Sequence, residues 1–245
     1  QIMWATGPKQ YEIVKEKLEE NKISINNVEN AKIVPYMGTC LNYGSASNPR
    51  ELQNASTMKF VKKQYNSFTL ENEMKPDAIL GSSAKLISVA DAKKKGYYIP
   101  AGYTESTVPE LAFTTVDKSL EAAKNNGLKM RAHTLVWHSQ TPSWFFTKNY
   151  DGSKVVTPAV MDARLDFYIH NVMGHVMDKE KALTGSAGSI VYAWDVVNEY
   201  LHRPSFAFFK TWTSVYGDMG NSPSYVKKAF EIAYDMLKSY QATDK

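Results

Sequence analysis

Residues 194–199 read Trp-Asp-Val-Val-Asn-Glu and close an apolar run that starts at Ile190. A buried strand ends far more often in turn residues than in a carboxylate beside an amide. Charged and amide side chains at the carboxyl end of a parallel strand are where barrel enzymes hold their reacting groups. Glu199 is therefore the candidate proton donor. A carboxylic acid beside a bridging oxygen lets that oxygen leave as a hydroxyl instead of an alkoxide, which is the obstacle in breaking a glycosidic bond. The role asks for a carboxyl that is partly buried or close to a second carboxylate. Asn198 is placed to hydrogen-bond a hydroxyl next to the reacting carbon. The alternative is an Asp-Asn-Glu segment that only caps the next helix.

Two more clusters precede a similar kind of break in apolar character. Arg131, His133, Trp137, His138, Gln140, Trp144 and Phe145 fall in one short stretch. Arg131, His133 and Trp137 differ by even numbers, so a strand would turn them to one face. A metal pair from His133 and His138 is disfavoured, because a spacing of five suits neither one helix face nor one strand face. Glu71, Asn72 and Lys75 form the other cluster. A carboxylate, an amide and an ammonium can all bond neutral hydroxyls, and the alternative is the charged first turn of a helix. Glu73 is assigned to solvent, His170 and His175 to packing or surface positions, and Arg203, Phe206, Phe208 and Trp212 to supporting the loop after Glu199.

These clusters need elements to carry them. A helix over 8–20 is followed by a polar, turn-rich stretch over 21–31 and a first strand from Ile33 to Leu41. Strands follow over Tyr65–Leu70, Leu128–Val136 and Ser189–Val196. Helices are expected from Thr115 to Asn125, stopped by Gly127, and over 158–178, with Leu165, Ile169, Val172 and Val176 on one face. A last helix runs from Pro223 to Tyr240, capped by Ser222, with Val226, Phe230, Ala233 and Leu237 as its buried stripe. Strands that alternate with helices imply a parallel sheet with crossover connections. No glycine fingerprint marks a single nucleotide crevice, and polar groups follow each of the last three strands, which fits a closed barrel better than an open sheet.

Composition narrows the function. Lys and Arg number 29 against 25 Asp and Glu, and the net charge of +4 is scattered without a basic stripe interleaved with aromatics, so no nucleic-acid partner is expected. No apolar run is long enough to span a membrane. Cys40 is the only cysteine, which excludes an internal disulfide and a thiolate metal site. The 15 Tyr and 5 Trp suit a sugar cleft, though ordinary packing also uses them. The chain begins at Gln1 without Met or an apolar leader, so it is expected to have been processed or trimmed.

Taken together, Glu71-Asn72-Glu73-Met74-Lys75, the run from Arg131 to Trp144 and Trp194 to Glu199 resemble glycoside hydrolase family 10, the endo-β-1,4-xylanases. Val215-Tyr216-Gly217-Asp218 and the helix from Tyr225 to Ala233 add to the likeness, which covers about residues 36–238. The resemblance implies a (β/α)8 TIM barrel, of which this chain supplies about the first four βα units as the N-terminal portion of one catalytic domain. It implies retaining endo-hydrolysis of xylan and xylooligosaccharides by double displacement, with no metal or cofactor, by an extracellular enzyme. Glu199 would be the acid/base, Asn198 would meet the hydroxyl beside the reacting carbon, and Glu71, Asn72, Lys75, His133, Trp137 and Gln140 would line the glycone subsites. Trp144 would support the groove.

Two departures stand out. Pro76 follows Lys75 where the family commonly has Trp. The family's nucleophile lies in a Thr-Glu-Leu-Asp-like segment on the seventh strand, and no such segment occurs here; Thr104-Glu105-Ser106 is the nearest string and lies in a loop. Four βα units cannot close an eight-stranded barrel. A second polypeptide carrying the C-terminal half is the expected source of the remainder. A longer or truncated natural chain and a self-pairing half-barrel are the alternatives. A non-catalytic xylan-binding fragment, an inactive half-barrel and a cellulase-like specificity are the competing functions.

Overall fold

The structure is a computed structural model and describes residues 36–200, 210–217 and 223–243. The helix expected over 8–20, the stretch 21–31, the start of the first strand, Arg203, Phe206, Phe208, Asp218 and the Ser222 cap lie outside the described residues. The larger compact unit begins at Gly38.

Strand β1 (Gly38–Leu41) leads through a short 3-10 turn to helix α1 (Ala55–Gln64) and strand β2 (Ser67–Leu70). Asn54 caps α1 by accepting the Thr57 N–H at 3.0 Å. Helix α2 (Pro76–Leu80) starts on a proline, which suits a first-turn position whose N–H has no helical partner. A two-stranded antiparallel excursion then pairs β3 (Leu86–Ser88), which runs into α3 (Val89–Lys94), with β4 (Thr107–Pro109). Between the second and third expected strands only loops and turns were expected before the helix at Thr115. Helices α2 and α3 and this hairpin were not read there, nor was α1 between the first two expected strands. Four of these elements, α2, β3, α3 and β4, have six residues or fewer, too short to show a hydrophobic period.

Helix α4 (Thr114–Asn126) ends on Gly127 at φ 67°, a left-handed conformation that glycine adopts without a Cβ clash. Strand β5 (Lys129–Val136) is followed by two 3-10 turns and by helix α5 (Pro158–Thr184). The face of α5 anticipated from spacing is buried: Leu165, Ile169, Val172 and Val176 are each at most 1% exposed. Each such burial stabilises by roughly 1.5–3 kcal/mol. Strand β6 (Val191–Val197), helix α6 (Trp212–Tyr216) and helix α7 (Ser224–Thr243) complete the order.

The main sheet is parallel throughout, in the order β1-β2-β5-β6. Its residues Phe68, Leu70, Met130 and Ala132 form one core with α4 and α5. This is a partial barrel, with β1 and β6 at the two ends of the strand order among the described residues.

Helix α5 continues six residues past the expected end. The reason is Glu180, a fully buried carboxylate that accepts the backbone N–H groups of Gly188, Ile190 and Val191 at 3.0, 2.7 and 2.6 Å. The last turn of the helix thereby anchors the entry to β6. Burial pushes this carboxyl upward, and the three N–H donors offset that in part. Arg164, also fully buried, pairs with Glu105 at 2.5 Å and donates to the carbonyls of Phe145 and Thr147.

The stripe on α7 requires a correction. Tyr225, Ala229 and Ala233 are buried, and Met236 and Tyr240 pack around Gly174 of α5. Phe230 and Leu237, expected inside, are 52% and 37% exposed, beside Tyr234 at 58%. The helix is apolar on two faces, so periodicity alone did not choose between them. No helix among the described residues is long and apolar enough to cross a membrane.

Glu180→Ala leaves three N–H groups of the β6 entry without their acceptor, and should cost about 3 kcal/mol of stability in urea unfolding. A loss below about 1 kcal/mol would show that the anchor contributes little.

Candidate active site

Because β2, β5 and β6 are parallel, the residues after Leu70, Val136 and Val197 emerge at one edge of the sheet. The three sequence clusters meet there.

Strands β5 and β6 place His133 opposite Asp195. The His133 Nδ1 lies 2.9 Å from Asp195 Oδ2, while Arg131 donates to Asp195 Oδ1 from Nε at 2.8 Å and Nη2 at 2.5 Å. Thr134 Oγ1 donates to the Asp195 carbonyl at 2.7 Å. Burial pushes the Asp195 carboxyl up, but the hydrogen bonds from His133 and Arg131 and the Arg131 charge outweigh it, so the net value sits below the ordinary aspartate range.

Four residues further along each strand the pattern repeats. Trp137 Nε1 donates to Glu199 Oε2 at 2.9 Å, and the Asn198 N–H donates to the Val136 carbonyl at 2.9 Å. The even spacing put Trp137 on one strand face with Arg131 and His133. Trp137 lies past the end of β5, beyond a register shift between His133 and Val136. Glu199 has φ 50°, a left-handed backbone uncommon for a residue with a side chain, and such positions collect at functional sites. Its side chain is exposed, where partial burial was expected.

The cluster after β2 joins the same group. Lys75 Nζ sits 5.0 Å from the Trp137 ring centroid and donates to Asn72 Oδ1 at 3.0 Å. An ammonium over an indole face is a favourable electrostatic contact. Glu71 accepts from Asn42 Nδ2 at 2.9 Å. Residues 71–75 precede α2 and are not its first turn. Glu73, assigned to solvent from sequence, instead accepts the N–H groups of Tyr43 at 2.9 Å and Asn72 at 3.1 Å, and so ties the turn after β1 to the turn after β2. Gln140 donates from Nε2 to Asp77 Oδ2 at 3.0 Å, and its carbonyl accepts the Asp77 N–H at 2.8 Å.

Aromatic residues form the support. Trp144 is buried and donates to the Gly81 carbonyl at 3.1 Å. Trp212 is buried, stacks on Tyr225 at 5.1 Å and donates to the Trp137 carbonyl at 3.2 Å. A narrow cleft runs between Trp137, Asn198, Tyr200 and Trp212. A larger hollow of about 390 Å³ between α1 and Asn126 lies where α1 and α4 lead into the strands, at the opposite edge from these groups. We place the site by its chemistry, at the strand ends. Among the described residues no three His, Cys, Asp or Glu side chains are arranged to hold a metal ion. His170 stacks on Tyr98 and His175 on Phe113, as packing residues. Glu105 is spent on Arg164.

Sequence reasoning gave Asp195, Asn42 and Asp77 no task. A signal for Asp195 was present: it precedes Glu199 by four residues, as His133 precedes Trp137.

Parallel βα units with a carboxylate, an amide, a cation and indoles at one strand edge define a barrel protein with a polar, aromatic-lined cleft. Comparison with known proteins gives the family. Residues 25–241 match the model of glycosyl hydrolase family 10, and the chain belongs to that family. It is 45% identical over 232 residues to endo-1,4-beta-xylanase A of Butyrivibrio fibrisolvens, covering 93% of this chain and 52% of that protein. It is 34% identical to endo-1,4-beta-xylanase A of Thermotoga maritima over 78% of this chain, which is 14% of that one. The chain thus spans about half of the first relative's length and less of the second's. Among solved structures, the Clostridium thermocellum endo-1,4-beta-D-xylanase 10B modules complexed with xylohexaose match with a TM-score of 0.58 at 28% identity, over 81% of this chain and 35% of that one. An intracellular xylanase of Thermoanaerobacterium saccharolyticum, complexed with xylotetraose, matches with a TM-score of 0.56 at 26% identity, over 83% of this chain and 51% of that one.

The lowered Asp195 carboxyl fixes a pH dependence. Its ionised form is favoured in the folded state, so its contribution to stability is present above the unfolded aspartate value of about 4 and is lost as pH falls through the lower folded value. Urea midpoints of the wild-type chain should therefore fall more steeply below pH 4 than those of Asp195→Asn. Parallel curves would contradict this.

Proposed function

We propose that this chain forms the acid/base side of a retaining endo-β-1,4-xylanase, and that the nucleophile comes from polypeptide beyond these residues. The observation that carries the reading is the Trp137–Glu199 hydrogen bond at the strand ends, which holds one carboxylate oxygen and leaves the other for a ligand. Family membership and the printed activities of the relatives support it.

In this mechanism Glu199 gives its proton to the oxygen that bridges two xylose units. A carboxylate of the companion portion attacks the anomeric carbon as that bond breaks. The glycosyl-enzyme is then released by water, whose proton Glu199 takes back. Retaining sites set the two carboxyl groups about 5–5.5 Å apart. Asn198 bonds the hydroxyl next to the reacting carbon. Glu71, Asn72 and Lys75 bond hydroxyls of the glycone sugars, Trp137 offers its ring to an apolar sugar face, and His133 and Gln140 complete that wall. No metal or cofactor takes part in these steps.

A second polypeptide carrying the remaining βα units is our reading of the partner. The exposed Phe230, Tyr234 and Leu237 of α7 support it, since a barrel flanks each helix on both sides. Polymeric xylan does not enter cells, so we place the enzyme outside them.

In the assembled protein Glu199→Gln should lower xylan hydrolysis by roughly a thousandfold, while aryl xylosides with good leaving groups lose far less in the glycosylation step. Proton NMR of the first product should show retained anomeric configuration. Equal losses on both substrates would remove Glu199 from the acid role, and an inverted product would remove double displacement. A chain that binds xylotetraose and never hydrolyses it with its companion supports a binding fragment instead.

A further inference from the structure

The carboxylate of Asp195 is shared unequally. Arg131 places two N–H donors on Oδ1, and Oδ2 is left for His133 Nδ1. An ionised carboxylate only accepts hydrogen bonds, so the imidazole nitrogen that faces it must carry the proton. In the neutral ring Nε2 is then the unprotonated nitrogen, and it is the ring nitrogen without a protein partner in the described contacts. Asp195 and His133 are each 20% exposed on the side chain, enough for a ligand to reach the ring edge and too little for water to loosen the pair freely. The Cα register places these two residues directly opposite, and Thr134 Oγ1 fixes the Asp195 backbone from the other side. The side chain therefore has little freedom to release His133.

We infer that Asp195 is a positioning residue for sugar binding: with Arg131 as its anchor, it holds His133 in the Nδ1–H tautomer, so that Nε2 accepts a hydrogen bond from a sugar hydroxyl. This rests on the sugar-cleft reading above and adds to it which nitrogen reads the ligand and what sets that choice. The reacting bond is untouched by Asp195, which acts only through His133. Exchange of the carboxylate for an amide reverses the choice. In Asp195→Asn the two Arg131 donors draw the amide oxygen to their side, the amide NH2 faces Nδ1, and the ring proton moves to Nε2. The site then presents a donor where the hydroxyl needs an acceptor.

The test uses the 245-residue chain at pH 8, where an ordinary imidazole is neutral. Long-range nitrogen–proton NMR of the His133 ring reads the tautomer directly, and calorimetric titration with xylotetraose reads the affinity. The wild type should show Nδ1–H, and Asp195→Asn should show Nε2–H and bind xylotetraose about tenfold more weakly. Asp195→Glu, which keeps a carboxylate, should keep the wild-type tautomer and recover part of the affinity. A merely structural Asp195 would lower stability without moving the ring proton. A wild-type spectrum with Nε2–H overturns the inference, and it decides alone if Asp195→Asn does not fold. A tautomer change without a change in xylotetraose affinity also overturns it. A wild-type chain that shows Nδ1–H and binds no xylotetraose overturns the sugar-cleft reading instead, because the ring measurement needs no sugar.

Discussion

The pairing of β5 with β6 is the constraint on which the site depends. Two cross-strand contacts, His133 with Asp195 and Trp137 with Glu199, are offset by four residues on both strands. The ladder between them is irregular, with a register shift between His133 and Val136, so the side-chain contacts help to hold the two pairs. A slip of one residue would turn these side chains to the opposite face and break both contacts. The Asp195 ion pair is partly buried and takes donors from two residues, so it resists such a slip more strongly than an exposed pair would. The backbone ladder extends to Asn198, and Glu199 leaves it in a left-handed conformation. The register thus ends one residue before the carboxylate that it has to present.

The turn after β2 is fixed by a different device. Glu73 gathers N–H groups from Tyr43 and Asn72, and Lys75 reaches across to the Trp137 ring. Loops at a strand edge lack ladder bonds, so a carboxylate that accepts from two turns supplies order the backbone does not. Asp77 does the same for Gln140 at the start of α2. These two acidic residues lie behind the groups expected to touch sugar. Their function is to hold the wall in place.

The parallel strands and α5 were legible because long buried elements carry a clear period, as Leu165, Ile169, Val172 and Val176 do. The three clusters were legible because strand ends concentrate polar residues that the core would exclude. What stayed hidden depends on three-dimensional pairing. Nothing in the composition of Glu73 says that two N–H groups will converge on it, and Asp195 shows its task only when β6 lies beside β5. The apolar choice on α7 was misread for the same reason. Phe230 and Ala229 are adjacent in sequence, and only the tertiary packing turns the small residue inside and leaves the large one exposed.

That choice on α7 also bears on the site. On α7 the alanines are buried, and the larger apolar residues Phe230, Tyr234 and Leu237 are exposed on another flank. In a ring of helices around a barrel, the far flank of one helix is the near flank of the next. The same logic applies to β6, which pairs with β5 and stands last in the strand order among the described residues. A strand added beyond it would stand beside the proton donor. Further strands that close the ring would shield Glu199 from solvent, and a carboxylate across the ring would face it with a like charge. Both effects favour the protonated form that an acid catalyst requires. Exposure of Glu199 in the half-sheet and its proposed task are thus consistent, since what tunes an acid is the wall opposite to it.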